Sequence, residues 1–178
     1  MKAYTLIIGL FLFATAAMAQ KSFYDFKVTD INGKEFPLSS LKGKKVMVVN
    51  VASKCGNTPQ YADLEKLYKL YGPNKFVVIG FPANNFAGQE PGTNAEIAEF
   101  CSKTYSVSFP MMSKISVKGD DMAPLYHWLT EKNQNGVMDS EVKWNFQKYL
   151  IDEDGKLADV VDPKVKPDNE KVISWITK

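Results

Sequence analysis

Along the chain, short continuous apolar runs alternate with longer stretches in which apolar residues recur every three or four positions. Val46 to Val51 (VMVVNV) and Phe76 to Phe81 (FVVIGF) are nearly uninterrupted β-branched and apolar runs, as expected of strands covered on both faces. Between them Leu64, Leu67, Tyr68 and Tyr71 mark one apolar face of a helix. Pro59 can open that helix, because its missing N–H falls among the unpaired donors of a first turn, and Gly72-Pro73-Asn74 ends it. Asn94 is placed to cap a second helix running to about Thr104. Phe109 to Val117 contains another strand candidate, Pro124 to Thr130 reads as the start of a helix, and Trp144 to Asp152 as a strand. Asp154-Gly155 turns that strand back into Leu157 to Val161, and Asp168 to Ile176 forms a final helix. Ahead of these, Phe23 to Thr29 and Glu35 to Leu38 flank Asp30-Ile31-Asn32-Gly33, where Asn-Gly favours the positive backbone angles of a tight hairpin. The pattern implies an α/β fold: a central mixed sheet flanked by helices, with an N-terminal hairpin.

The first segment, MKAYTLIIGLFLFATAAMAQ, changes the picture of where the protein works. Lys2, an apolar stretch through about Ala17, and Ala17 and Ala19 around Met18 form the pattern of a secretory signal, residues 1–19, cut between Ala19 and Gln20. The apolar run is shorter than the roughly 20 residues of a spanning helix and lacks a basic stop-transfer flank, so no transmembrane anchor is expected. The mature chain, 20–178, then has roughly 158 residues, enough for one domain with its own core. Export places it in the periplasm or outside the cell, where disulfides persist.

A net charge of +2, with no clustering of basic residues and aromatics, argues against a nucleic-acid partner. Lys42, Lys44 and Lys45 read as a solvated strand edge. Cys55, Cys101 and the single His127 lack the close ligand spacings of a metal site. Two cysteines leave a choice between a structural staple and redox chemistry.

Cys55 lies where the strand ending near Val51 feeds the helix opening near Pro59, at the carboxyl edge of the sheet where open α/β folds place their chemistry. Unpaired amides and the helix dipole there favour a thiolate, the nucleophilic form of cysteine. Gly56 lets the backbone pass closely, and Asn57 and Thr58 offer polar groups to the turn. Thioredoxin-like folds carry Cys-x-x-Cys at this place, but here the second position is Thr58. A lone thiolate suits attack on a peroxide, giving a sulfenic acid, and that step needs neutral donors for the departing oxygen. Gln89, Trp144 and Asn145 are candidates, although taken singly each also reads as solvated, core or turn.

The stretches NVASKCG with TPQYADLEKLY, FPANNFAGQEPGTNAEI and KWNFQKYLID, in this order and spacing, resemble the glutathione peroxidase family from about Ser22 to the C-terminus. The resemblance implies a thioredoxin-like fold and reduction of hydrogen peroxide and organic or lipid hydroperoxides to water or alcohols, without a cofactor. It assigns Cys55 the peroxidatic role, at a position where some relatives use selenocysteine, with Gln89, Trp144 and Asn145 completing a polar tetrad. Ala83 and Asn85 stand where many nonanimal relatives have FPCNQF, and Cys101 sits one position before the resolving cysteine of plant-like members. On a helix that offset is a rotation of about 100°, which turns Cys101 to a different side; it is a possible resolving residue, as in some bacterial relatives. The compact EKNQNGVMDSEVKWNF resembles the monomeric subgroup. A thioredoxin-like protein or glutathione is the implied reductant. Two rivals remain: an exported thioredoxin-like disulfide oxidoreductase, and a binding domain stapled by Cys55–Cys101.

Overall fold

The computed structural model describes residues 21–72 and 75–178. The expected signal segment and its cut after Ala19 lie outside the described residues, as do Pro73 and Asn74 of the helix-ending turn.

Four strands form the central sheet in the order β4-β3-β5-β6: β3 Lys45–Val51, β4 Phe76–Pro82, β5 Lys148–Ile151 and β6 Leu157–Val161. β3 and β4 run parallel, as the intervening helix α1, Gln60–Tyr71, requires; β3/β5 and β5/β6 are antiparallel. Every residue of β3 and β4 is buried. On β3, Val46 and Val48 join a core with Phe81, Trp128 and Tyr149 on one face. Met47, Val49 and Val51 join Leu64, Ile97 and Ile176 on the other. A period of two that buries both faces is what an uninterrupted apolar run demands. Helices α1, α2 (Asn94–Tyr105) and α5 (Glu170–Thr177) cover the second face, and α3 (Pro124–Thr130) the first; the short α4 spans Lys132–Asn135.

Several elements differ from the sequence-based expectation. Phe23–Asp25 is a 3-10 turn, so the hairpin strands are only β1 Lys27–Thr29 and β2 Glu35–Pro37. In their connection Gly33 alone takes a positive φ, +83°, while the Asp30 carboxylate accepts from the amides of Asn32 and Lys34; an Asx-type turn replaces the Asn-Gly turn. Residues 109–117 are not a strand. They meet β4 and the hairpin only at isolated bridges, through Gly80 N to Pro110 O (3.0 Å) and Met112 N to Gly80 O (2.8 Å) on one side and Ile31 N to Met111 O (2.9 Å) and Ser113 N to Thr29 O (2.9 Å) on the other, with Pro110 unable to donate. Gly80 permits that approach, since a Cβ there would fall 2.5 Å from Met111 Sδ.

The cap of α2 is Thr93, in a reciprocal box with Glu96, and Asn94 instead accepts from the amide of Lys114. The strand expected from Trp144 begins only at Lys148, because Phe146 sits at φ +69°. Lys45 is not a solvated edge residue: it is buried and its Nζ donates to Trp175 O (2.7 Å), tying β3 to α5. Among the described residues, no helix is long and apolar enough to cross a membrane.

Candidate active site

The chain leaving β3 turns sharply, and Thr58 sets the turn. Its hydroxyl donates to Ala52 O (2.8 Å) and accepts from the Cys55 amide (3.0 Å), while its own amide donates to Cys55 O (3.0 Å). The residue standing where a second thiol would be is therefore a brace for the first. Further i,i+3 bonds, Gln60 N to Asn57 O and Tyr61 N to Thr58 O, wind this turn into α1. Pro59, already in helical backbone, leads the helix as expected. Inside the turn the Asn57 amide donates to Cys55 Sγ (3.3 Å), and a backbone N–H aimed at sulfur stabilises negative charge there.

The opposite wall comes from the irregular stretch before β5, held by Asn50, which interrupts the apolar run of β3. Asn50 Nδ2 donates to Trp144 O (3.0 Å), and Asn50 O accepts from Phe146 N (2.6 Å). These two bonds hold Phe146 in the left-handed region, which turns Asn145 inward. Asn145 is fully buried; its carbonyl accepts from Asn57 Nδ2 (3.2 Å), and its own Nδ2 donates to Gln89 Oε1 (3.0 Å). Gln89 O in turn accepts from Lys54 N (3.0 Å).

The four expected residues thus fall on one structure with different duties. Asn145 spends an amide N–H on orienting Gln89, whereas Gln89 Nε2 and Trp144 Nε1 are without a protein acceptor among the described residues. The Trp144 ring leans on Phe86, centroids 5.4 Å apart, and remains 39% exposed. Cys55 keeps 9% of its surface at the floor of an open pocket of about 410 Å³, walled by Gly56, Asn57, Trp144, Pro163 and Lys164.

Cys101 is also a free thiol but does not share that pocket. It lies inside α2, 2% exposed, at the base of a second pocket of about 340 Å³ beneath the β1–β2 turn. Burial pushes its thiol up to about 11, against the opposing effect of the Tyr61 hydroxyl beside it. Next to Gln89, Glu90 is buried and accepts from Ser53 Oγ (3.1 Å); burial outweighs that bond and raises its carboxyl above the usual range. Among the described residues no cluster of His, Cys, Asp or Glu is disposed to hold a metal.

Sequence reasoning missed Asn50 and Lys148. The only signal for Asn50 was a polar interruption in an apolar run. Lys148, in KWNFQKYLID, carried no local signal of burial, although it is fully buried.

Cys55 thus stands at the carboxyl edge of a thioredoxin-like sheet, in a pocket that Trp144 also lines, with no second thiol in its turn. The fold likeness extends to a thioredoxin-family thiol:disulfide interchange protein from Chlorobium tepidum TLS: 21% identity, TM-score 0.58, covering 92% of this chain and 100% of that one. A family model for glutathione peroxidase matches residues 23–130. Glutathione peroxidase-like peroxiredoxin gpx1 of Schizosaccharomyces pombe is 47% identical over 148 residues, 83% of this chain and 92% of that protein. The crystal structure of Trgpx in its apo form matches with TM-score 0.68 at 42% identity, covering 89% of this chain and 97% of that one. The chain belongs to the glutathione peroxidase family and is a peroxidase by that membership.

Proposed function

We propose that the protein is a thiol peroxidase in which Cys55 reduces hydrogen peroxide and organic or lipid hydroperoxides, serving antioxidant defence. The Cys55 thiolate attacks one peroxide oxygen, the O–O bond breaks, and the sulfur becomes a sulfenic acid. The other oxygen departs as hydroxide or alkoxide and takes up a proton to give water or an alcohol. The observation that carries this reading is the site's geometry: the sulfur accepts from the Asn57 amide, Trp144 lines the same pocket, and Asn145, bonded to Asn57 on one side, holds Gln89 on the other. Fixed neutral donors stabilise charge as it develops on the leaving oxygen. The apolar walls supplied by Trp144 and Pro163, together with the pocket's open mouth, suit bulky hydroperoxides.

Cys101 then attacks the sulfenic acid, releasing water and forming a disulfide that an external dithiol reduces. In the resting fold its thiol is buried, raised and in another pocket, so this step requires local unwinding of α2. A thioredoxin-like protein is the reductant. A second reading, glutathione, rests on Lys143 and Lys164, basic residues lining the Cys55 pocket that could meet its carboxylates. Export by residues 1–19 sets the periplasm or the extracellular space as the place of work.

The test is peroxide consumption by purified protein with a thioredoxin-type dithiol or with glutathione, comparing Cys55→Ser and Cys101→Ser. Loss of turnover is expected in Cys55→Ser with either donor, and in Cys101→Ser with the dithiol protein. Unimpaired turnover in Cys55→Ser would overturn the reading.

A further inference from the structure

Lys148 is the one lysine of the sheet with no exposed surface and no carboxylate within bonding distance. It stands on β5 between Val49 of β3 and Val161 of β6, neither of which brings charge. Its Nζ reaches three neutral acceptors: Gln60 Oε1 (2.6 Å), Val165 O (2.5 Å) and Pro163 O (3.3 Å). Gln60, the first residue of α1, returns a bond from Nε2 to the same Pro163 O (2.8 Å). Pro163 and Lys164 form one wall of the Cys55 pocket, and the Cys55 turn winds into α1 at Gln60. One buried amino group therefore joins the two sides of the pocket.

We propose that Lys148 is a positioning residue of the peroxidase site, an ammonium clamp that holds the Pro163–Lys164 wall against the start of α1 and so sets the width of the pocket over Cys55. The proposal rests on the peroxidase reading above for its catalytic consequence, but its geometric content does not. An ammonium group has three N–H donors and meets three acceptors; a neutral amine has two and must release one. Burial lowers Lys148 to about 7, opposed by Asp162 of the wall segment and Asp63 of α1, the two carboxylates that face it. The clamp accordingly loosens as pH rises through neutrality.

The test uses Lys148→Met, which keeps length and apolar volume without the donors, and Gln60→Met, which breaks the same clamp without removing a charge. Peroxide oxidation of Cys55 should slow about tenfold in each, the scale of a small misplacement of reacting groups, and the double variant should be little slower than the worse single one. In a Cys101→Ser background, the ratio of Cys55 alkylation by a bulky maleimide to that by iodoacetamide should rise severalfold in both variants. Because both reagents attack the same thiolate, this ratio cancels Cys55 ionisation. With Lys148 intact it should also climb between about pH 6 and 8, and in Lys148→Met it should not. An unchanged ratio in folded Lys148→Met, or in Gln60→Met should the first fail to fold, overturns the clamp. An altered ratio in a protein that consumes no peroxide would keep the clamp and discard the peroxidase.

Discussion

Burying Lys148 has a thermodynamic signature separate from catalysis. In the unfolded chain the lysine titrates at its ordinary value of 10.5, and in the fold at about 7. Between those values the unfolded state binds a proton that the native state does not, so stability rises with pH across the window. Below about pH 7 both states are charged and the desolvation cost is felt in full. The slope approaches about 1.4 kcal/mol per pH unit, which amounts to roughly 2 kcal/mol between pH 7 and 9. Other groups act above about pH 9 and with the opposite sign. Cys101 rises from 9.0 to about 11, and Tyr24 and Tyr149 from 10.0 to about 12, so each favours unfolding as pH climbs past its unfolded value. The assay is urea denaturation at intervals from pH 5 to 10 for the wild type and Lys148→Met. Replacing the lysine also strands the carbonyls it serves, a cost of about 1–3 kcal/mol per buried acceptor. The absolute difference between the proteins thus mixes two effects, while its pH dependence isolates one. The wild type should gain on the variant by about 2 kcal/mol from pH 7 to 9 and run level with it from pH 5 to 6. A difference that stays flat from pH 7 to 9 would refute the claim that this lysine is desolvated without a compensating charge.

Two further outcomes bear on the site and the frame around it. Asn145→Ala removes the amide that orients Gln89; oxidation of Cys55 by peroxide, followed by stopped flow, should slow on the order of a hundredfold, while the urea midpoint shows a loss of only about 1–3 kcal/mol. Glu65 is nearly buried, and although burial alone would raise its carboxyl, the hydroxyl (2.6 Å) and amide (2.8 Å) of Ser108 together with the Lys69 ammonium (3.2 Å) more than offset this, leaving it below 4.5. Its stabilising share is therefore complete above pH 4.5 and lost as pH falls through the lowered value; Glu65→Gln should flatten that acid limb in a thermal-melt series, and an unaltered limb would assign it to other carboxylates.

How far the sequence carried each element depended on where its conformation was decided. β3, β4 and β6, and the helices α1 and α3, lie close to where the apolar pattern put them, because burial of a run or a stripe is a local property of sequence once there is a sheet to cover. The strand candidate within 109–117 shrinks to isolated bridges and 144–147 is not strand, because their backbone is fixed from outside: by Gly80 and the hairpin in the first case and by Asn50 in the second. Cys55 was legible from its place at the end of an apolar run. Gln89, Trp144 and Asn145 were bland individually and became readable only through the family resemblance. Lys148 was invisible, because its partners Gln60, Pro163 and Val165 lie far away in sequence and a lysine in a strand ordinarily signals solvent.

Asn50 connects these successes and failures. Six of the seven residues of β3 pack into the two cores or anchor the strand's start, and the run reads as a strand in spite of the asparagine within it. A fully buried side-chain amide in that position would be costly unless bonded; its Nδ2 donates to Trp144 O while the backbone carbonyl of Asn50 accepts from Phe146 N, and together these bonds bend the chain ahead of β5 so that Asn145 faces Gln89. The strand that makes the fold recognisable is therefore also the fixture that builds the donor wall, and it does both because one of its side chains departs from the apolar pattern. Replacing Asn50 by valine would make β3 more regular as a sequence while removing the hydrogen bond from its side chain to Trp144 O. The consequence follows from the geometry: the sheet persists, the segment 144–147 is released from one of its two holds, and the defect appears first in peroxide reduction and only secondarily in stability.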